Sequence, residues 1–179
     1  MSFPLTAAKL QGYDTQQVDA LMARVKSQYE NPTKELVSAA MLSVATFELV
    51  KGGYQIPAVD SAIARVADTF EQRELEKAMQ QRGRGAMATE LAVRLRAIKG
   101  VLDLPAKERF ERSRNGYSQK EVGNLFKRIV IKRGNIAAPD TFEIRTISLG
   151  RSGNGFDRSQ VDEFLASVVT AVHAQNLLG

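Results

Sequence analysis

The sequence predicts a mainly helical protein. Four short loop–helix repeats would be arranged as two duplicated pairs, with the helices packed into a compact bundle and short strands preceding the motif glycines. Three observations carry this expectation. An eight-residue pattern (Gly, aromatic, polar, two variable positions, polar, Val, usually Asp) occurs four times. An apolar helical stripe follows every copy. The spacing of the copies repeats across the two halves of the chain. A repeat of this kind sets the architecture before any single residue does.

The copies begin at Gly12-Tyr13-Asp14, Gly53-Tyr54-Gln55, Gly116-Tyr117-Ser118 and Gly155-Phe156-Asp157, and end at Val18-Asp19, Val59-Asp60, Val122-Gly123 and Val161-Asp162. Gly permits the tight turn. Asp14, Ser118 and Asp157 suit a helix N-cap, and Gln17, Glu121 and Gln160 stand three residues on, where a capping box closes. The aromatic and the Val occupy the two positions of a hydrophobic staple. In the second copy Gln55 caps poorly, but Pro57 suits the first helical turn.

Beyond each Val the apolar residues recur at +3, +4 and +7: Leu21, Met22 and Val25; Ala62, Ile63 and Val66; Leu125, Phe126 and Ile129; Phe164, Leu165 and Val168. This spacing builds one buried stripe on a helix. Asp19, Asp60 and Asp162 gain little from the helix dipole, being past the first turn. Arg24 and Arg65 follow at i+5, which is poor spacing for a pair within one helix. Two readings of these Asp residues stand: ion pairs across repeats or subunits, or a solvated polar face.

The motif glycines lie 41 residues apart in the first half and 39 in the second, and the halves are offset by 104 and 102. A duplicated two-motif unit is the simplest account. Phe47, Phe110 and Leu149 each lie six residues before a motif glycine, and Leu42 and Ile144 lie five before two of those. The expected division is 1–81 for the first repeat pair, 82–103 for a basic connecting segment, and 104–179 for the second pair.

The segment Leu10-Gln11-Gly12-Tyr13-Asp14 through Val18-Asp19, and Gly155-Phe156-Asp157 through Val161-Asp162-Glu163-Phe164-Leu165, resemble the N-terminal motif of DivIVA, a bacterial scaffold of cell poles and division septa. The fourfold arrangement resembles the DivIVA-domain repeat proteins, and the likeness runs from Phe3 to about His173. It implies a non-enzymatic scaffold or adaptor in cell division or polar growth. Such a protein would work by self-association and by binding other division or polarity proteins or an anionic membrane. It would be cytoplasmic and peripheral at the inner membrane face. The motif residues Gly12, Tyr13, Val18, Asp19, Gly53, Tyr54, Val59, Asp60, Gly116, Tyr117, Val122, Gly155, Phe156, Val161 and Asp162 would carry the interactions. This chain departs from DivIVA in lacking a sustained heptad coiled coil. DivIVA binds membrane through an aromatic-basic pair just before the motif glycine. The corresponding pairs here are Leu10-Gln11, Lys51-Gly52, Arg114-Asn115 and Gly153-Asn154, and of these only Leu10 could insert.

Charge is uneven. Residues 73–134 carry a net +9, between ends of −2 each. This block includes Arg82, Arg84, Arg94, Arg96, Arg112 and Arg114, which together with Leu10 are the candidates for contact with a membrane or an anionic partner. Such a block attracts phosphates of lipid or nucleic acid, so the alternative function is nucleic-acid binding through 82–133. A solvated face or an acidic protein partner fits it equally. No groove-reading motif accompanies it.

A 44% hydrophobic content permits a packed core and excludes a disordered chain. The absence of Cys excludes disulfides and thiolate metal sites. The first nine residues do not read as a signal peptide, and the apolar run Leu36–Phe47 is too short to span a bilayer. His173 is the only His and reads as a surface residue of the last helix. No catalytic, metal or cofactor constellation is predicted; Gly150 to Gly155 fits neither phosphate-loop fingerprint. Between the motifs, a helix is expected from Leu36 to about Leu49 with a turn to extended backbone near Phe47, another from Pro57 to about Gln81 broken by Gly83 and Gly85, and a third from a Thr89 cap to about Val101. Asn31-Pro32-Thr33 and Gly134-Asn135 read as linkers, and Thr141–Ile147 as a short strand.

Overall fold

The computed structural model describes residues 2–31 and 33–179; the central residue of the Asn31-Pro32-Thr33 linker lies outside them. The chain forms two units, Met1–Glu71 and Gln72–Gly179. Among the described residues, helix accounts for 59% and strand for 12%, the latter in three small antiparallel sheets. The fold is therefore mixed α/β, and the expected mainly helical bundle is incorrect. The physical reason lies in the motif. Its Gly-aromatic step is extended backbone, and extended backbone needs a hydrogen-bonded partner strand.

In the first unit, β1 (Gln11–Tyr13) pairs antiparallel with β2 (Leu49–Lys51), in the register Gln11 with Lys51 and Tyr13 with Leu49. Helix α1 (Thr15–Glu30) follows the first motif, and α3 begins at Ile56 after the second. Between them the expected helix 36–49 shrinks to α2 (Ala39–Ser43), capped by Ser38 and giving way to β2. Val18 and Val59 are completely buried and share a core with Leu42, Ile63 and Phe70.

Helix α3 runs from Ile56 to Asp103, with non-helical backbone at Gly83 (φ 84°) and helix again through Gly85. Of the two expected breakers, only Gly83 interrupts. Thr89 is not a cap; its hydroxyl donates to the Gly85 carbonyl one turn back, within the helix.

In the second unit, β3 (Arg112–Ser113), β4 (Gly116–Tyr117), β7 (Arg151–Ser152) and β8 (Gly155–Phe156) form a sheet in the order β3-β8-β4-β7. Helix α4 (Gln119–Phe126) follows the third motif, and α6 (Arg158–Leu178) the fourth. Strands β5 (Val130–Lys132) and β6 (Asn135–Ala137) form a hairpin turning at Arg133 and Gly134, both at positive φ. The predicted strand 141–147 is instead α5 (Thr141–Thr146). Asp140 caps it by accepting from Phe142 N–H at 2.9 Å, a local signal that outweighs the alternation of apolar residues. Val122 and Val161 are buried with Phe110, Phe126, Ile144 and Phe164.

Candidate interaction site

Within each unit the two motifs meet each other. Tyr13 N–H donates to Tyr54 O and Tyr54 N–H to Tyr13 O, both at 2.9 Å. This reciprocal pair relates the motifs by an approximate twofold. It also explains the glycines. A Cβ on Gly12 would lie 2.4 Å from Tyr54 O, and one on Gly53 2.4 Å from Tyr13 O. In the second unit a Cβ on Gly116 would lie 2.2 Å from Phe156 O, and one on Gly155 2.4 Å from Gly116 C. Only the absence of a side chain admits this approach.

The helix caps also cross the pair. Asp14 and Asp157 accept from Gln17 and Gln160 N–H as expected, while Ser118 makes no side-chain cap bond. The N3 side chains, however, reach the partner motif's lead-in strand. Gln17 Oε1 accepts from Glu48 N–H at 2.9 Å, Gln160 Oε1 from Glu111 N–H at 2.9 Å, and Glu121 Oε2 from Gly150 N–H at 2.6 Å. The aromatic rings follow the same rule: Tyr13 meets Phe47 at 5.1 Å and Phe156 meets Phe110 at 5.5 Å.

The repeated Asp residues find their role here. Tyr54 Oη donates to the Asp19 carboxylate at 3.2 Å, Tyr117 Oη to Asp162 at 3.4 Å, and the Tyr13 hydroxyl bonds Asp60. Each Asp meets a tyrosine of the partner motif. Burial, then the Asp60 charge and hydrogen bond, push the Tyr13 phenol up to about 12. Burial likewise raises Tyr117 and the carboxyls of Asp60 and Asp162. The fourth pairing would join position 156 to position 123. There the aromatic is Phe156 and the Asp is replaced by Gly123, so hydroxyl and carboxylate are missing together. That joint departure was the signal in the sequence that could have revealed the pairing.

With the motif glycines and valines buried, the exposed features include the turns before the glycines. In the first unit Gly52 N–H donates to Leu10 O at 2.9 Å, which sets Leu10 beside Lys51 of the other motif. Leu10 is 61% exposed, Lys9 and Lys51 are exposed, and Leu5 nearby is 57% exposed. An apolar–basic neighbourhood is thus formed by Lys9 and Leu10 before the first motif together with Lys51 before the second. In the second unit the turns Arg114-Asn115 and Gly153-Asn154 are exposed and carry no large apolar residue.

The arginines of the basic block do not converge. Arg82 pairs with Glu90, Arg84 donates to Leu178 O, and Arg94 donates to Ser167 Oγ at 3.3 Å. Arg112 lies over the Phe156 ring at 4.5 Å, while Arg96 and Arg114 are exposed. Among the described residues, no helix is long and apolar enough to cross a membrane. Comparison with protein-family models, with curated proteins and with solved structures finds no match to this chain.

Proposed function

We propose that this chain is a non-enzymatic scaffold or adaptor resembling DivIVA-domain proteins. It would act in bacterial cell division or polar growth, binding other division or polarity proteins and touching an anionic membrane from the cytoplasmic side. The observation that carries this reading is the exposed Leu10 beside Lys51, with Lys9 and Leu5 close by. A leucine with flanking lysines is a small amphipathic tip. Inserting one such side chain gains about 1.5–3 kcal/mol of apolar transfer, and each lysine near an anionic surface adds about 1 kcal/mol. These magnitudes give reversible binding by one copy and firmer binding by clustered copies. The paired motifs serve as the rigid base of this tip.

Flotation of the purified protein with anionic and zwitterionic vesicles, at low and physiological salt, tests the reading. Recovery with anionic vesicles only, lost on Leu10→Ser and weakened by Lys51→Glu, is the expected result. Absence of flotation at either salt, or binding indifferent to Leu10→Ser, would remove the membrane from the mechanism.

A further inference from the structure

The hairpin of β5 and β6 is where the second half of the chain departs from the duplicated plan. The motif offset of 104 sets Phe126 against Met22. Helix α1 continues past Met22 to Glu30, whereas α4 ends at Phe126 and the hairpin takes over. Its turn, Arg133-Gly134, has φ of 51° and 79°, the left-handed pair that a two-residue type I′ turn requires. Gln175 of α6 fixes the outer edge of β6, accepting from Ile136 N–H at 2.7 Å and donating to Ile136 O at 3.0 Å.

Alternation then separates two faces of the hairpin. Ile131 and Ile136 stand opposite each other; Ile136 is buried in the core and Ile131 packs against it. Val130, Lys132, Asn135 and Ala137 lie on the other face, and all four are exposed. Residues 122–139 hold Lys127, Arg128, Lys132 and Arg133 and no acid. Arg128 is paired with Glu143 of α5, and Asp140, the next acid along the chain, caps that helix. Lys127, Lys132 and Arg133 are exposed, and among the described residues none of the three has a side-chain partner.

We propose that this hairpin is a DNA-binding ribbon, which seats its exposed face in the major groove of a duplex with Lys127, Lys132 and Arg133 against the phosphates. The major groove of B-form DNA admits a two-stranded ribbon. The chemistry of the face selects this occupant over others. A protein partner needs apolar or aromatic anchors at the centre of its interface, and the only large apolar residue on this face is Val130, at 37% exposure. Firm membrane contact takes an apolar side chain as well as charge, and the tip from Lys132 to Asn135 has no such side chain. A polyanion is held by cations alone. The hairpin shares no residue with the Leu10 tip, so duplex binding and vesicle binding succeed or fail independently.

The full chain titrated into a fluorescent random-sequence DNA duplex, followed by anisotropy, tests the proposal. Saturable binding is expected, and raising salt from about 50 to about 200 mM should weaken it about 40-fold, the loss for three phosphate contacts. Arg133→Gly, which suits the positive φ, Lys132→Gln and Lys127→Gln should each cut that loss to about 12-fold. Arg96→Gln, at an exposed position of α3, should leave it unchanged. Absence of saturation at the lower salt, a salt loss unmoved by the three hairpin variants, or an equal effect of Arg96→Gln would overturn the proposal. Tighter binding to the corresponding single strand would do the same. Loss of anionic-vesicle flotation in the hairpin variants, with duplex binding intact, would overturn it in favour of lipid.

Discussion

Tyr117 donates its hydroxyl to Asp162 at 3.4 Å, a bond that joins the third motif to the fourth. The reciprocal bond is missing because its positions hold Phe156 and Gly123. Restoring it is a direct check on the pairing rule. Phe156→Tyr alone buries an unsatisfied hydroxyl at a site 2% exposed, a loss of about 1–3 kcal/mol. Gly123 has nothing within 4 Å of a built Cβ, so an Asp fits there. The double variant Phe156→Tyr with Gly123→Asp should show favourable coupling of about 0.5–3 kcal/mol in a denaturation cycle. Additive single effects would mean that the two positions do not meet.

The glycines make a sharper contrast. Gly12→Ala and Gly116→Ala each drive a methyl to within 2.4 Å and 2.2 Å of a partner carbonyl oxygen. Each should lose at least about 3 kcal/mol in urea denaturation, with little soluble protein in the worst case. Gly123→Ala, in the open interior of α4, should instead gain about 0.5–1 kcal/mol. Similar outcomes at all three positions would refute the close backbone approach.

Alkaline titration reads the Tyr13–Asp60 bond. A phenol raised to about 12 in the fold favours the neutral form. Its contribution to stability is therefore complete below the unfolded pKa of about 10 and lost as pH rises toward 12. Tyr13→Phe should remove that part of the alkaline loss, and the phenolate absorbance step that disappears with it should be the one near pH 12. The raised carboxyl of Asp60 has the same sign, in the acid range. Protonation is easier in the folded state, so its contribution grows as pH falls through that range. A missing step near pH 10 would show that Tyr13 is solvated.

The cross-motif cap predicts a graded series. Glu121 Oε2 accepts from Gly150 N–H, and any acceptor of that length should serve. Glu121→Ala should cost about 1 kcal/mol, measured by thermal unfolding, and Glu121→Gln should recover most of it. Equal loss in both variants would assign the effect to charge.

Much of this was legible in the sequence. The Val stripe, the Asp14 and Asp157 caps and the spacing of Leu42 and Ile144 follow from local periodicity and side-chain chemistry, and all four Val residues are buried. What stayed hidden was non-local. The capping-box glutamines satisfy the partner's backbone instead of their own. The extended Gly-aromatic steps form sheets of two or three residues, shorter than any alternation that a sequence pattern can display. For the same reason Thr141–Ile147 reads as a strand until Asp140 is seen capping it.

Each motif pair closes within one chain, through the reciprocal Tyr13–Tyr54 backbone bonds and their counterpart around Gly116 and Gly155. The unfolding midpoint measured over about a hundredfold range of protein concentration tests it most directly, because folding that requires a second chain makes the midpoint depend on concentration. A midpoint that stays constant on dilution is the predicted result. A midpoint that falls as the protein is diluted would contradict the account and place the pairing between chains.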